Sequence, residues 1–453
     1  MPIPLPQSLL DSLVGIPGFE LDLFRSVHER GESVSSVRLN AAKTNASRLS
    51  LPWDEPVSWC TNGWYLKERP VYTLDPLFHA GCYYVQEASS MFLDHVLRHV
   101  LGDRSGLSVI DLCAAPGGKT TLLAALPHFR MVVANELIRS RLTILSENVA
   151  KWGLPHVLVS HNDPREVGRL EGFFDVMVVD APCSGSGLFR RDPEAISEWS
   201  ERNVQLCSER QQRILADALP ALAPDGILIY STCSYSRQED EMILDWLVGH
   251  EDFEAIPIPA NGSWGIAESI SAKGAFGYRF FPGKVQGEGL FMACLRRKGG
   301  RTFHAARTGK PNLVTTAERK LITPWLKDGD ALAMLKKDQD VFLVPEALTA
   351  DLLQLSSSLQ IRKTGIHGGA IGRDEFIPDH ELAVSILAST ELPGVDLDLD
   401  GSREYLRKNK IGPFPDLKGW HLIRHEGIGL GWAKMLSNRV NNYYPASWRI
   451  LNL

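Results

Sequence analysis

The sequence predicts an α/β protein with a doubly wound core, and two observations support that prediction. Apolar strand-like runs alternate with helix-like segments between Leu107 and Leu228, the pattern that βαβ units and a parallel sheet produce. The 453 residues are 44% hydrophobic and 23% charged, which is typical of globular proteins and excludes disordered and collagen-like chains. At roughly 150 residues per domain, the length predicts about three domains.

The core strands are separated by helical segments and turns. We expect parallel strands over residues 107–112, 131–135, 157–160, 175–179 and 226–230. Between the last two, residues 193–222 are long and periodic enough to form helices over one face of the sheet. Residues 280–297 are typical of antiparallel strands that close the sheet, with a turn at Gly287-Glu288-Gly289.

The segments on either side of the core do not continue the alternation of strands and helices. A helical opening over residues 7–30 and a short strand over 36–40 predict a small N-terminal α+β module. From Arg296 to Lys310 the chain is basic, contains glycine and lacks acids, which is typical of a linker. The predicted parts are 1–75 (N-terminal extension), 76–298 (core), 299–314 (basic linker), 315–375 (small α+β domain) and 376–453 (β-rich domain).

The overall charge and the first residues exclude several classes of protein. Forty-eight Lys and Arg against 54 Asp and Glu give a net charge of −6, so a binding site for a polyanion has to be a local basic patch. The start of the chain lacks the pattern of a signal peptide, and no apolar run reaches the roughly 18 residues of a membrane span. We therefore expect a cytoplasmic protein without membrane contact, and a monomer by default because no self-complementary stripe stands out.

The cysteines favour thiol chemistry. There are seven, widely spaced and without a C-x-x-C pair, which argues against a disulfide framework, a structural zinc site or any other metal site. Two of them occupy loops rich in Ser, Gly and Pro: Cys183 in Asp180-Ala181-Pro182-Cys183-Ser184-Gly185, and Cys233 in Ser231-Thr232-Cys233-Ser234. These loops follow the fourth and fifth strands, and adjacent parallel strands lie about 5 Å apart, so both thiols can face one pocket.

A ligand-binding loop is predicted between the first strand and the next helix. The segment from Asp111 to Thr120 contains Pro116-Gly117-Gly118, where glycines let a ligand approach backbone N–H groups at a helix N-terminus. The segment ends in Gly118-Lys119-Thr120, as a phosphate loop does, but Cys113 occupies the position where the phosphate-loop motif needs its first glycine. A nucleotide hydrolase is therefore disfavoured, and the dinucleotide fingerprint of hydride-transfer enzymes is also missing.

Acidic residues follow three successive strands of the predicted sheet. Glu136, Asp163 and Asp180 come at the ends of the second, third and fourth strands. Open α/β sheets bind ligands at the carboxyl ends of their strands. Together the three acids outline a nucleoside pocket, although Asp163 before Pro164 fits a helix cap equally well.

These motifs together resemble those of the Nop/Sun family of RNA 5-methylcytosine methyltransferases. The likeness spans about residues 70–297 and includes the run from Tyr84 to Met91 before the sheet and Gly287 to Phe291 near its end. At the C-terminus, the runs 430–434 and 438–445 resemble the bacterial RsmF-type branch, whose substrate is small-subunit ribosomal RNA. The resemblance implies a Rossmann-like class I methyltransferase core with an N-terminal α+β extension that binds RNA and small C-terminal domains, the last of them PUA-like and RNA-binding.

The resemblance also implies the cofactor S-adenosylmethionine and the residues that hold it. Glu136 would take the ribose hydroxyls, Asp163 the adenine amino group, and Asp180 would lie beside the methionine part. The loop that would wrap the cofactor consists of Cys113, Ala114, Ala115, Pro116, Gly117, Gly118 and Lys119.

The chemistry of cytosine explains why thiols are needed. C5 is a poor nucleophile until a thiolate adds at C6. By resemblance, Cys233 is the attacking thiol and Cys183 assists proton removal or enzyme release, an assignment that the residues alone leave open. Asp180 would hydrogen-bond N3 or N4 of the pyrimidine and stabilise the developing charge.

The expected partner is RNA, most specifically ribosomal RNA within the small subunit. Arg190 and Arg191 after the Cys183 loop either contact a flanking nucleotide or are a solvated pair. Alternatives are a transfer RNA cytosine-C5 methyltransferase and a non-catalytic ribosome-assembly factor, although a pure binder needs no pair of thiols beside Asp180. A redox dithiol protein is disfavoured by the spacing of the cysteines.

Overall fold

The computed structural model describes residues 4–250, 252–373 and 375–451. Its N-terminal module contains an antiparallel sheet in the order β2-β3-β1-β4. The elements are α1 (Gln7–Leu13), α2 (Leu21–Arg30) and α3 (Pro76–His79), with β1 (Ser35–Leu39), β2 (Trp53–Pro56), β3 (Gly63–Leu66) and β4 (Tyr83–Val85). The helical opening predicted over residues 7–30 is broken between α1 and α2, where Gly15 and Gly18 have left-handed φ values of 78° and 83° that end a helix.

The core contains the predicted alternation of strands and helices. Its helices are α4 (Phe92–Leu101), α5 (Gly118–Ala125), α6 (Arg139–Trp152), α7 (Pro164–Gly168), α8 (Ala195–Glu198), α9 (Glu201–Ala218) and α10 (Glu241–His250). Its strands are β5 (Leu107–Asp111), β6 (Phe129–Asn135), β7 (Val157–Ser160), β8 (Phe174–Asp180), β9 (Leu222–Thr232), β10 (Phe253–Ala255), β11 (Ala267–Ile270), β12 (Phe276–Phe280) and β13 (Leu290–Arg297). The doubly wound α/β core predicted from the sequence is confirmed.

The order of the central sheet explains where a ligand can bind. The strands run β11-β12-β13-β9-β8-β5-β6-β7, with β10 beside β13. Strands β9, β8, β5, β6 and β7 are parallel, β13 is antiparallel to β9, and β12 is antiparallel to β13. From β5 the chain winds outward to β6 and β7, whereas β8 returns to the other side of β5. The switch point between β5 and β8 is the place where such sheets form a crevice.

The parallel strands are apolar because both faces of the sheet are covered. In β5 every residue is buried, with Val109 in the apolar cluster on one face and Ile110 in the cluster on the other. The first cluster includes side chains of α4, α5 and α6, and the second includes side chains of α7, α9 and α10. This burial on both faces accounts for the continuous apolar runs in the sequence.

Residues 298–312 contain no helix or strand, and the remaining elements follow them. The helices are α11 (Thr316–Ile322), α12 (Thr349–Ser358), α13 (His380–Val384) and α14 (Leu399–Leu406). The strands are β14 (Leu332–Lys337), β15 (Asp340–Pro345), β16 (Ile361–Thr364), β17 (Ile366–Ile371), β18 (Phe376–Pro378), β19 (Gly394–Asp396), β20 (Gly419–His425), β21 (Ile428–Leu436) and β22 (Arg439–Asn442). They form the sheets β14-β15-β17-β18 and β19-β20-β21-β22, while β16 pairs with β7 and extends the central sheet.

The first and last sheets share one apolar core. Val37 and Tyr83 of the N-terminal module lie in the same cluster as Ile423 and Tyr444 near the C-terminus. The domain boundaries expected from the sequence stay predictions. Within the described part of the chain, no helix combines the length and the apolar character needed to cross a bilayer.

Candidate active site

A cavity of about 1030 Å³ opens at the carboxyl ends of the central parallel strands. Every site residue predicted from the sequence lines it except Gly117. These lining residues are Cys113, Ala114, Ala115, Pro116, Gly118, Lys119, Glu136, Asp163, Asp180, Cys183 and Cys233. Gly117 has a φ of 112°, and a Cβ there would lie 3.2 Å from Leu145 Cδ1, so its role is to let the loop turn tightly into α5.

The loop between β5 and α5 is fixed by contacts with β6 and α6. The Ala114 N–H donates to the Asn135 carbonyl (2.9 Å), and the Asn148 side chain donates to the Pro116 carbonyl (2.8 Å). Burial raises the pKa of the Cys113 thiol, so this cysteine lies in the loop as a neutral group.

Glu136 follows β6 and is almost fully buried. One carboxylate oxygen accepts from the Ile138 N–H (2.8 Å) and the other from the Ala115 N–H (3.3 Å). The Arg141 guanidinium lies 3.6 Å from Glu136 and donates to the Ala115 carbonyl (2.5 Å). The Glu136 carboxylate is therefore fixed at the end of β6 by backbone N–H groups, and Arg141 balances its charge.

Asp163 is a helix cap that also lies in the lining of the cavity. Its side chain accepts from the Arg165 N–H and caps α7, with Glu166 completing a capping box, yet it also lines the cavity. Hydrogen bonds from Arg165 lower the pKa of Asp163. The carboxylate is thus ionised and fixed at the cavity edge.

Asp180 and Lys119 form an ion pair at the switch point. The Lys119 ammonium lies 2.8 Å from Asp180 Oδ2, and Ser231 donates a hydrogen bond of 2.7 Å to Asp180 Oδ1. Burial lowers the pKa of Lys119, but the Asp180 carboxylate outweighs that effect and holds the pKa above its usual value. Lys119 is therefore a charged partner that orients Asp180.

The two predicted thiols meet beside this pair. Cys183 Sγ lies 2.8 Å from Cys233 Sγ, and both cysteines are free. The hydrogen bond to Cys233, followed by burial, raises the pKa of the Cys183 thiol well above its usual value. Cys183 is thus a neutral thiol that can donate its S–H to the sulfur of Cys233.

Asp111 lines the cavity, although the sequence interpretation gave it no role of its own within the predicted ligand-binding loop. It is fully buried at the end of β5, and one oxygen accepts from Thr120 (2.6 Å). Its Oδ1 has no hydrogen-bond partner among the described residues. Burial raises the pKa of Asp111 to about 7. The position at the end of a parallel strand, which singled out Glu136 and Asp180, would have identified Asp111 as well.

Glu239 was also missed, and it connects the two cysteine loops. Its carboxylate accepts from the Ser184 hydroxyl (2.5 Å) and the Ser234 hydroxyl (2.6 Å). It also accepts from the Ser184 N–H (2.8 Å) and from Gln211 (3.1 Å). Glu239 follows no strand and belongs to no motif, so only the folded chain identifies it.

Arg190, a predicted RNA contact, and Arg38 of the N-terminal module both have buried side chains. The Arg190 side chain is 4% exposed and forms an ion pair with Glu288 (2.9 Å), so it does not belong to a solvated pair with the exposed Arg191. Arg38 is fully buried beside α5, where it donates to Gln86 (2.7 Å) and to the Thr121 hydroxyl (2.6 Å). Its structural role is to join the N-terminal module to the helix that follows the cofactor loop.

Three family models match the chain in sequence order. The N-terminal domain of 16S rRNA methyltransferase RsmF matches residues 5–88, 16S rRNA methyltransferase RsmB/F matches residues 98–296, and the methyltransferase RsmF PUA domain matches residues 393–450. The last match confirms the PUA-like fold expected at the C-terminus.

Solved structures support the same fold. A methyltransferase homolog protein from Pyrococcus horikoshii is 28% identical, with a TM-score of 0.51 over 65% of this chain and 100% of that chain. NSun6 from Pyrococcus horikoshii with SFG has a TM-score of 0.54 at 19% identity, over 65% of this chain and 98% of that chain. The second likeness shows the fold of the core.

Relatives extend over nearly the full length. Ribosomal RNA small subunit methyltransferase F from Pectobacterium atrosepticum is 30% identical over 98% of this chain and 96% of its own sequence. The protein of that name from Vibrio vulnificus is 30% identical over 90% of each chain. The chain belongs to the ribosomal RNA small subunit methyltransferase F family.

Proposed function

We propose that the protein transfers a methyl group from S-adenosylmethionine to C5 of a cytosine in small-subunit ribosomal RNA, through a covalent bond between Cys233 and C6. The observation that supports this most directly is the 2.8 Å contact between the Cys183 and Cys233 thiols, which line the same cavity as Asp180. The names of the relatives favour ribosomal RNA as the substrate.

The residues around the cavity fit the cofactor. S-adenosylmethionine supplies an electrophilic methyl group, and SFG, present in the NSun6 structure, is its analogue. Glu136 offers a buried carboxylate for the ribose hydroxyls, as acids at this position do in related folds. Asp111 Oδ1, unpaired among the described residues, offers an acceptor for the amino group of the methionine part. Asp163 would take the adenine amino group at the cavity edge.

The charge distribution favours Cys233 as the nucleophile. Because the pKa of Cys183 is raised, chiefly by its hydrogen bond to Cys233, the proton stays on Cys183. Its S–H then stabilises a thiolate on Cys233. That thiolate attacks C6, the S–C6 bond forms, and the electron pair of the C5–C6 double bond becomes available at C5.

Asp180 stabilises the activated base. Its carboxylate, held by Lys119 and Ser231, accepts a hydrogen bond from the N4 amino group of the cytosine. As the methyl group moves to C5, the C5–CH₃ bond forms and the methyl–sulfonium bond breaks. The C5–H bond then breaks, and its proton passes to solvent water with the assistance of Cys183. The C5–H electron pair re-forms the C5–C6 double bond, the S–C6 bond breaks, and the S–C6 electron pair returns to Cys233. This sequence restores the aromatic base and the free enzyme.

Trapping the covalent complex tests the proposal. Cys183→Ala protein is incubated with S-adenosylmethionine tritiated in the methyl group, in separate samples with small-subunit ribosomal RNA, isolated small subunits and transfer RNA. We expect a labelled protein–RNA band that survives a denaturing gel and is absent from the Cys183→Ala/Cys233→Ala double variant. Nucleoside analysis of RNA methylated by the wild type should give 5-methylcytidine.

The other outcomes separate the alternatives. Labelling of transfer RNA alone would replace the ribosomal substrate with a transfer RNA. Full turnover by Cys233→Ala would overturn the assignment of the nucleophile. A protein that binds the cofactor yet labels none of the three RNA samples would contradict the proposed reaction and favour an assembly factor.

A further inference from the structure

Three exposed arginines surround one side of the cavity. Arg210 and Arg213 lie on α9, three residues apart and therefore on the same face of the helix. Arg191 lies in the segment that follows the Cys183 loop. All three are exposed and line the cavity. We call this set, Arg191, Arg210 and Arg213, the arginine rim.

The guanidinium groups of the arginine rim have no hydrogen-bond or ion-pair partner in the described part of the chain. Most acids that line the cavity are engaged: Asp180 with Lys119, Glu136 with Arg141, Asp163 with Arg165, Glu288 with Arg190, Asp111 with Thr120, and Glu87 with backbone N–H groups. Asp217 also lines the cavity, and its side chain has no hydrogen bond or ion pair with the described residues. Within the described ranges, no side chain of the arginine rim has a hydrogen bond or an ion pair. Three guanidinium groups therefore face the cavity with unused hydrogen-bond donors.

Free guanidinium groups in this position fit phosphate. The planar fork of arginine matches the oxygens of a phosphate group, and contacts with phosphate dominate the affinity of proteins for nucleic acid. An enzyme that acts on a base takes that base out of its stack into a pocket, while the sugar-phosphate backbone stays at the pocket mouth. The arginine rim lies on that mouth, with Cys183 and Cys233 in the same cavity.

We infer that the arginine rim binds the RNA phosphates that flank the target nucleotide. The inference rests on the proposed function, which it deepens by assigning residues to the substrate backbone. The inference assigns different roles to two adjacent arginines. Arg190 forms an ion pair with Glu288 and donates to the Gly287 carbonyl (2.6 Å), whereas Arg191 is free to bind an anion.

Substitutions on α9 test this inference with a matched control. The variants are Arg210→Gln, Arg213→Gln and their combination, and the control is Arg202→Gln, an exposed arginine on the same helix that does not line the cavity. Binding of transcribed small-subunit ribosomal RNA is measured by filter binding at several KCl concentrations. Binding of S-adenosylhomocysteine is measured by calorimetry.

We expect each rim substitution to raise the Kd and KM for RNA about five- to tenfold, the size of one lost charge-assisted hydrogen bond. The dependence of log K on log [KCl] should become shallower by about 0.7 for each lost phosphate contact on a single strand. The kcat at saturating RNA and the affinity for S-adenosylhomocysteine should stay as in the wild type. Arg202→Gln should behave as the wild type in every measurement.

Two results would overturn the inference. If the rim variants bind RNA with wild-type affinity and salt dependence, the arginine rim does not contact phosphates. If they lose affinity for S-adenosylhomocysteine instead, the rim binds the carboxylate of the cofactor. Failure of the proposed function is distinguishable, because it would abolish methylation by the wild type while weaker RNA binding by the rim variants could still be observed.

Discussion

The Sγ atom of Cys183 lies 2.8 Å from the Sγ atom of Cys233, although fifty residues separate them in the chain. Pairing of the two parallel strands explains this contact, because β8 and β9 are in register with Asp180 opposite Ser231. Cys183 comes three residues after Asp180 and Cys233 comes two residues after Ser231, so both cysteines lie just beyond this registered pair at the same edge of the sheet. The contact is therefore a direct consequence of strand register.

Glu239 is expected to act as a positioning residue for these loops. Its negative charge contributes to the raised pKa of Cys183, as a smaller cause than the hydrogen bond to Cys233, burial and the charge of Cys233. Glu239→Gln should therefore lower the pKa of Cys183 and slow formation of the covalent adduct. Glu239→Ala, which leaves buried donors unpaired, should also lower the free energy of unfolding by about 2–4 kcal/mol.

The pKa is measured from the rate of Cys183 alkylation against pH in a Cys233→Ser background. Glu209→Gln, at an exposed glutamate on α9, is the control and should leave the profile unchanged. An identical alkylation profile for Glu239→Gln and its parent would show that Glu239 has a purely structural role.

Lys119 and Asp180 should act as a unit. Lys119→Met removes the ammonium group that orients the Asp180 carboxylate, and Asp180→Asn removes the carboxylate charge itself. We expect each change alone to reduce the single-turnover methylation rate about 100-fold, the size of one lost electrostatic contact in a transition state. The double variant should be little slower than Asp180→Asn, since coupled residues are not additive. Losses that multiply would contradict the pairing.

Asp111 should make stability depend on pH. Burial raises its pKa to about 7 in the folded protein, from about 3.9 in an unfolded chain. Between these two pKa values the Asp111 carboxyl is protonated in the folded state and ionised in the unfolded state. The contribution of Asp111 to the free energy of unfolding is therefore largest below the unfolded pKa and falls as the pH rises towards 7. The Asp111→Asn variant keeps a hydrogen-bond acceptor for the Thr120 hydroxyl and removes the titratable carboxyl group.

Urea unfolding of both proteins checks this prediction. Between about pH 5 and pH 8 the wild type should lose about 2–3 kcal/mol more than Asp111→Asn does, at 1.36 kcal/mol per pKa unit. Parallel stability curves for the two proteins over this range would show that Asp111 is already ionised at the lower pH.

Arg38 should affect stability and cofactor binding, and leave RNA binding unchanged. The side chain is buried and its hydrogen bonds hold Gln86 and Thr121 together, while burial lowers its pKa to about 10. Arg38→Met leaves these acceptors unpaired, and we expect a loss of about 3–4 kcal/mol in the free energy of unfolding. The Kd for S-adenosylhomocysteine should rise about tenfold, since a change of about 1.4 kcal/mol in binding corresponds to that factor.

The matched control is Arg30→Met, at an exposed arginine of the same module. It should leave stability and both affinities near those of the wild type. Weaker RNA binding by Arg38→Met, with stability and cofactor affinity intact, would instead favour a direct RNA contact at this position.

The sequence by itself determined the core strands, the glycine-containing loop between β5 and α5, and the two cysteine loops. Each of these depends on local information. A strand covered on both faces needs a continuous apolar run, and a tight turn before a helix needs glycine. The strands at 107–112 and 157–160 were accordingly predicted to within one residue of β5 and β7, and the cysteine loops follow strands β8 and β9 as expected.

Only the tertiary structure decided which polar side chains are paired and which are free. Arg190 and Arg191 are neighbours in sequence, yet one is buried against Glu288 and the other is exposed at the cavity. Arg38 is a buried link to α5, and Glu239 joins two loops without belonging to a motif. The physical reason is that burial, hydrogen bonding and charge pairing depend on residues far apart in the chain, and only the folded backbone brings those residues together.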